Sequence, residues 1–226
     1  LKINPVRTLM LGGLLAFALL QLPGAYRVFD VFDSRPALRV LFIGNSHTHV
    51  NDMPGMMRHI ADSAGMQQRY DITMHAPGGT TFRDHWNNPD VQNLLTQQWD
   101  HVVLQGASSE TLHEDFVREF NTYGERLAEK ARPTADKSWL YVTWSYASGS
   151  EWMRQNPWYE GRMQGLVQSG YRQLSKATGV PLVNVGQAWK DVAEAKPAFS
   201  LYQADGNHAS VHGSYLTALV MFQHLS

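Results

Sequence analysis

The chain has 226 residues, of which 43% are hydrophobic and 17% charged, and its formal net charge is -1. That length can bury one sizeable core, so a single folded domain is expected. No Lys/Arg run or basic stripe marks a nucleic-acid partner, and the absence of cysteine excludes disulfides and thiolate metal sites.

At the N-terminus Lys2 and Arg7 lead into a short apolar run, Thr8 to Leu20, closed by Pro23 and Gly24. A positive segment before a short apolar run is the pattern of a secretory signal, and the run is shorter than the roughly 20 apolar residues of a spanning helix. Leu22-Pro23-Gly24-Ala25 is a poor small-x-small cleavage site. Residues 1–25 therefore read as a signal peptide or an uncleaved membrane anchor, residues 26–37 as a linker, and 38–226 as the folded domain. Export to a periplasmic or extracellular location is the expectation.

A β-type apolar run, Leu38 to Ile43, stops at Gly44. A helix is expected over Met53–Ser63, where Met56, Met57, Ile60 and Ala64 form an apolar stripe closed by Gly65. The second strand, Tyr70–His75, ends in Ala76-Pro77-Gly78-Gly79-Thr80-Thr81, a backbone-permissive turn. Asn88-Pro89-Asp90 starts a short helix through Gln98. The third strand, Val102–Leu104, runs into Gln105-Gly106-Ala107-Ser108, and a long helix follows from Glu114 to Lys130. The fourth strand, Trp139–Trp144, leads to an aromatic loop with Tyr146, Trp152 and Trp158. A helix over Tyr159–Ala177, a strand over Pro181–Val185 and a helix over Ala188–Ala195 follow. The chain closes with Asp205-Gly206-Asn207-His208 and a helix from Val211 to Leu225. The strand runs are too apolar for half-exposed strands, which predicts a parallel sheet covered on both faces. The expected fold is an α/β three-layer α/β/α sandwich with a five-stranded parallel sheet.

In a parallel sheet every strand's C-terminal end lies at one edge, where open α/β sheets bind ligands. Ser46, Gly78-Gly79, Gln105 to Ser108 and the Asp205/His208 pair would all meet there. At a spacing of three, Asp205 can accept the Nδ1–H of His208 and leave Nε2 free for Ser46. The backbone N–H groups of Ser46 and Gly79 can serve as oxyanion donors. Each piece alone has a plainer meaning: Asn45 or Ser46 as a helix cap, Asp205-Gly206 as a turn.

Phe42-Ile-Gly-Asn-Ser-His-Thr48 resembles the first block of the SGNH (GDSL-like) hydrolases, with Asn45 in place of the usual Asp. Gly79 matches the second-block glycine, and Asp205-Gly-Asn-His208 matches the last block, Asp-x-x-His. The resemblance spans Leu38 to the end and implies Ser46 as nucleophile, His208 as base and Asp205 as its orienting acid. The third block departs from the family, whose Gly-x-Asn supplies an oxyanion-holding amide. Here Leu104-Gln-Gly-Ala-Ser108 leaves Gln105 as the expected substitute donor and Ser108 as its rival.

His47, His49, His59, His75 and His85 invite a metal reading, but no third ligand stands at a recognisable spacing. We expect no metal and no cofactor, and assign these histidines to the surroundings of the nucleophile, with His47 touching substrate. Trp144 and Tyr146 are either core or a platform for a sugar ring or acyl chain. The function expected is a serine ester hydrolase acting on an O-acylated carbohydrate or another small ester. The alternatives are an acyltransferase with the same triad and a catalytically silent glycan- or metal-binding envelope protein.

Overall fold

In the computed structural model, residues 33–196 and 198–226 are described. The signal or anchor expected at residues 1–25 and most of the expected linker lie outside them. Among the described residues no helix is long and apolar enough to cross a membrane.

Residues 37–226 form one unit. Its strands are β1 (Ala37–Ile43), β2 (Arg69–His75), β3 (Trp99–Leu104), β4 (Ala135–Tyr141) and β5 (Leu182–Val183). They pair in the order β2-β1-β3-β4-β5, all parallel. Successive strand residues point to opposite faces, and here both faces are apolar. Leu41, Ile43, Val102, Leu104 and Leu140 enter one core, while Val40, Phe42, Val103 and Tyr141 enter the other.

On the first face lie α3 (Phe82–Asn87), α4 (Pro89–Leu94), α5 (Glu114–Ala131) and α7 (Met163–Thr178), which bury Phe82, Val91, Phe120, Leu127, Val167 and Leu174. On the second lie α2 (Met53–Ser63), α8 (Val185–Ala195) and α9 (Val211–Leu225), with Met57, Trp189, Ala218 and Met221 inward. The two short helices α1 (Ser46–His49) and α6 (Glu151–Gln155) sit in loops after β1 and β4. The three-layer α/β/α sandwich is the fold the sequence predicts.

The differences are local. β4 begins four residues earlier than expected, at Ala135, because Ala135 and Lys137 pair with Trp99 and His101 despite their polar neighbourhood. β5 is only two residues long, since the chain turns helical at Val185. α3 was not expected at all. It follows the Gly78-Gly79 turn and is opened by a capping box between Thr81 and Asp84. α7 starts at Met163 rather than Tyr159 because Gly161, with φ +69°, interrupts the helical path.

The register sets the site. Ile43 pairs with His75 and with Leu104, and Leu104 with Leu140. The loops after β1, β2, β3 and β4 therefore leave the sheet at one level. The strand order reverses between β1 and β3, where an α/β sheet opens a crevice.

Candidate active site

Ser46 is the first residue of α1, immediately after the β1 turn. Asn45 caps that helix from an extended backbone, φ -137°, its Oδ1 accepting from the N–H of His47. The cap thus aims the serine, and the N–H of Ser46 is one of the donors a helix start leaves unpaired. Gly44 is required by crowding: a Cβ there would stand 2.6 Å from Gln105 Oε1.

His208 comes from the loop before α9. Its Nε2 lies 2.9 Å from Ser46 Oγ and its Nδ1 2.5 Å from Asp205 Oδ2. The other carboxylate oxygen, Oδ1, accepts from the backbone N–H groups of Asn207 at 2.9 Å and His208 at 3.0 Å. Burial would raise the Asp205 carboxyl, but the bonds from the His208 ring and the two backbone N–H groups outweigh it and hold the group below its usual value. The pair is open to solvent, with side-chain exposures of 31% for His208 and 45% for Asp205. The three residues singled out from sequence thus come together in the order serine, imidazole, carboxylate.

Gly79 stands in the turn after β2 with φ +74°, a conformation that a residue with a Cβ rarely adopts. The following residue fastens that turn to the loop that carries Ser46. Thr80 O accepts from Asn45 Nδ2 at 3.1 Å, and its hydroxyl donates to Gly44 O at 3.0 Å. The buried His85 ring sets its Nε2 2.8 Å from the same Gly44 carbonyl. Burial, then the neighbouring His75, pushes His85 down to about 4, so it donates as a neutral imidazole.

Gln105 does not match the expectation of an oxyanion donor. Its side chain is fully buried, and both amide hydrogens are used, one on Asn45 Oδ1 at 2.9 Å and one on Gly106 O at 2.7 Å. Its Oε1 accepts from Asn45 N–H and from the Thr48 hydroxyl, each at 2.8 Å. The amide holds the turn that carries Ser46 from the interior. Its rival is also engaged elsewhere: the Ser108 hydroxyl is buried, 2.8 Å from Thr143 Oγ1 and 3.4 Å from His47 Nδ1.

His47 is buried as well, where a residue touching substrate was expected. Its Nε2–H donates to Asn207 Oδ1 at 2.9 Å, and its ring packs on Trp144 with centroids 4.6 Å apart. Burial pushes it down to about 4. The residue after Ser46 is therefore a neutral strut to the loop that carries Asp205 and His208. Trp144 offers no face for a ligand: it is 1% exposed, stacks on Trp189 at 3.8 Å and donates its indole N–H to Asn207 O. Tyr146 is half-buried beside Trp152 and lies close enough to Asp205 for that charge, after burial, to raise its hydroxyl.

Asn207 and Thr80 were not singled out from sequence as parts of the site, whereas His85 was expected near Ser46 as one of five histidines. Asn207 was visible only as an unspecified position of Asp-x-x-His, and Thr80 only as the neighbour of Gly79. Of the other histidines, His49 bonds Ala76 O through Nδ1, and the His75 and His85 rings meet edge-on at 5.4 Å. Among the described residues no three His, Cys, Asp or Glu side chains are grouped to hold a metal ion.

No protein-family profile and no curated protein matches the chain. Solved structures do. One from Slackia heliotrinireducens, described as a candidate SGNH hydrolase, is 28% identical, with 84% of this chain and 100% of that chain covered at a TM-score of 0.70. The fold is also shared with an acetylxylan esterase, Axe2 from Geobacillus stearothermophilus, at 16% identity, 85% and 95% coverage and TM-score 0.65. A lipase/acylhydrolase from Enterococcus faecalis aligns at 16% identity, 83% and 94% coverage and TM-score 0.64. With this fold, and with Ser46 after β1, Gly79 after β2 and the Asp205/His208 pair before the last helix in the order of the sequence blocks, the chain belongs to the SGNH (GDSL-like) hydrolase superfamily.

Proposed function

We propose that the protein is a serine ester hydrolase that works through an acyl-enzyme, with an O-acylated carbohydrate as substrate and another small ester as the second choice. The observation that carries the reading is the 2.9 Å contact of His208 Nε2 with Ser46 Oγ, backed by the 2.5 Å contact of Asp205 with Nδ1. Ser46 Oγ attacks the ester carbonyl carbon while its proton passes to His208 Nε2. Asp205 keeps Nδ1 protonated and stabilises the imidazolium that forms. The former carbonyl oxygen carries the negative charge, and the backbone N–H groups of Ser46 and Gly79 hold it. As the tetrahedral centre collapses, the C–O bond to the alcohol breaks and His208 gives its proton to the departing oxygen. A water then adds to the acyl-serine, again losing its proton to His208. The second collapse returns that proton to Ser46 Oγ and releases the carboxylic acid.

With the Gln105 amide engaged elsewhere, this hole has two backbone donors and no side-chain amide. Hydrolysis is favoured over transfer because His208 and Asp205 are open to water, whereas transfer needs water kept out of the site. The acetylxylan esterase and lipase neighbours support an ester substrate, and the former leans it toward carbohydrate. Export through residues 1–25 belongs to the same proposal. The test is p-nitrophenyl acetate hydrolysis by the native protein and by Ser46→Ala. The variant should lose on the order of 10³-fold or more in kcat, as triad removals do. Equal rates would sink the assignment.

A further inference from the structure

A cleft of about 550 Å³ opens between α7, α8 and the segment after β4, and neither Ser46 nor His208 lines it. That volume falls within the roughly 300–1,000 Å³ of small-molecule sites. Its wall toward the triad is Ser145 to Ser148. This wall is bonded to the catalytic loop itself: the Ala147 N–H donates to Gly206 O at 2.7 Å, and the Tyr202 hydroxyl to Ser145 O at 2.8 Å. The lining of the cleft is thus joined by hydrogen bonds to the loop that carries Asp205 and His208.

The lining discriminates among ligands. Tyr146 and Tyr159 present rings, and Gln168 and Gln187 present amides. Gln168 spends one N–H on Gln187 Oε1 at 2.9 Å, and Gln187 spends one on Asp191 at 2.8 Å, so each keeps a second donor. Lys190 and Glu194 stand 3.8 Å apart at the same cleft. A fatty chain here would cover the second N–H of each amide without a partner, at a cost of about 1–3 kcal/mol each. A strongly charged ligand would meet both signs of charge. An uncharged, hydroxyl-rich ring fits best, because its edges satisfy amides and its C–H faces lie on aromatic rings.

We propose that this cleft binds an uncharged saccharide segment of an O-acylated carbohydrate whose ester is presented to Ser46 across the wall. The inference rests on the esterase reading for its ester, though not for its binding site. Gly165 of α7 supplies the test, since a Cβ there meets nothing within 4 Å and a large side chain would fill the cleft without displacing the core.

Calorimetric titration of the Ser46→Ala protein with xylohexaose, cellohexaose and mannohexaose should give saturable binding of at least one. Adding Gly165→Trp should weaken that binding at least tenfold, and Gln168→Ala should weaken it severalfold. In the native background, Gly165→Trp should lower kcat/KM on an acetylated oligosaccharide about tenfold more than on p-nitrophenyl acetate. An active esterase whose Ser46→Ala form binds none of the three sugars overturns the cleft assignment alone, as does equal binding with and without Gly165→Trp in a folded protein. Absence of esterase activity overturns the reading beneath it, and the calorimetry still decides the cleft.

Discussion

Gln105 has the chemistry of an oxyanion donor but the hydrogen bonds of a brace. Its amide satisfies the Asn45 N–H, the Asn45 side-chain oxygen and the Thr48 hydroxyl, all in the interior. Removing it orphans those groups, and a buried unpaired group costs about 1–3 kcal/mol. Gln105→Ala should therefore lower unfolding stability by about 2–4 kcal/mol in a urea titration and reduce kcat with it. A donor that acts only on the transition state would leave the urea midpoint where it is, so an unchanged midpoint would contradict the brace. The residue stood out in the sequence as the one amide at the end of β3. Its direction could not be read there, because a side chain at a strand end can turn toward either the neighbouring turn or the crevice.

At the scale of elements, the site is a set of strand-end loops tied to one another. His47 links α1 to the loop before α9 through Asn207. Glu110, in the turn after β3, plays a similar part between β3 and α3. It accepts from the Ala107 N–H at 2.7 Å, and the Phe82 backbone N–H also favours its charged form. Burial pushes its carboxyl up to about 8 in spite of those bonds. A carboxyl whose folded value lies above its unfolded 4.5 binds more protons when folded, so its contribution falls as pH rises from about 4.5 to about 8. At about 1.4 kcal/mol per unit the loss reaches several kcal/mol. Glu110→Gln removes the titration, and its urea stability relative to the native protein should rise steadily between pH 5 and pH 8. A constant difference between the two proteins across that range would rule out this role.

For the whole molecule the buried histidines tilt the balance the other way. His47 and His85, both held near 4, take up protons from 6.5 downward when unfolded but not when folded. Their contribution is present above pH 6.5 and is lost as pH falls toward 4. Two imidazoles lose stability across that window while one carboxyl, Glu110, gains it. Above pH 6.5 only the Glu110 loss remains. Thermal unfolding followed from pH 4 to pH 9 should therefore show a maximum near pH 6.5. A Tm that climbs monotonically through pH 8 would contradict that pairing of buried groups.

The amino-acid sequence by itself determined the layer order and singled out Ser46, Asp205 and His208 as a candidate triad. Apolar runs of strand length alternate with amphipathic helices, and parallel pairing then sends every strand's end to one edge, so Ser46 after β1 and Gly79 after β2 share that edge, while the loop between α8 and α9 brings Asp205 and His208 to it. α2 and α9 were legible to their end residues because an apolar stripe with clear stops is local information. α3 was missed, since its capping box sits directly against the glycine turn. Only the tertiary structure decided which way the polar side chains near Ser46 face. Gln105, Ser108, His47 and Trp144 look like site residues by position, yet each is buried and bonded inward. The physical reason is that a parallel sheet's edge leaves backbone and side-chain polar groups below the crevice as well as in it. Those below must find partners within the protein, and which residues supply them depends on contacts 60 to 160 positions apart, such as Gln105 with Asn45 and Asn207 with His47.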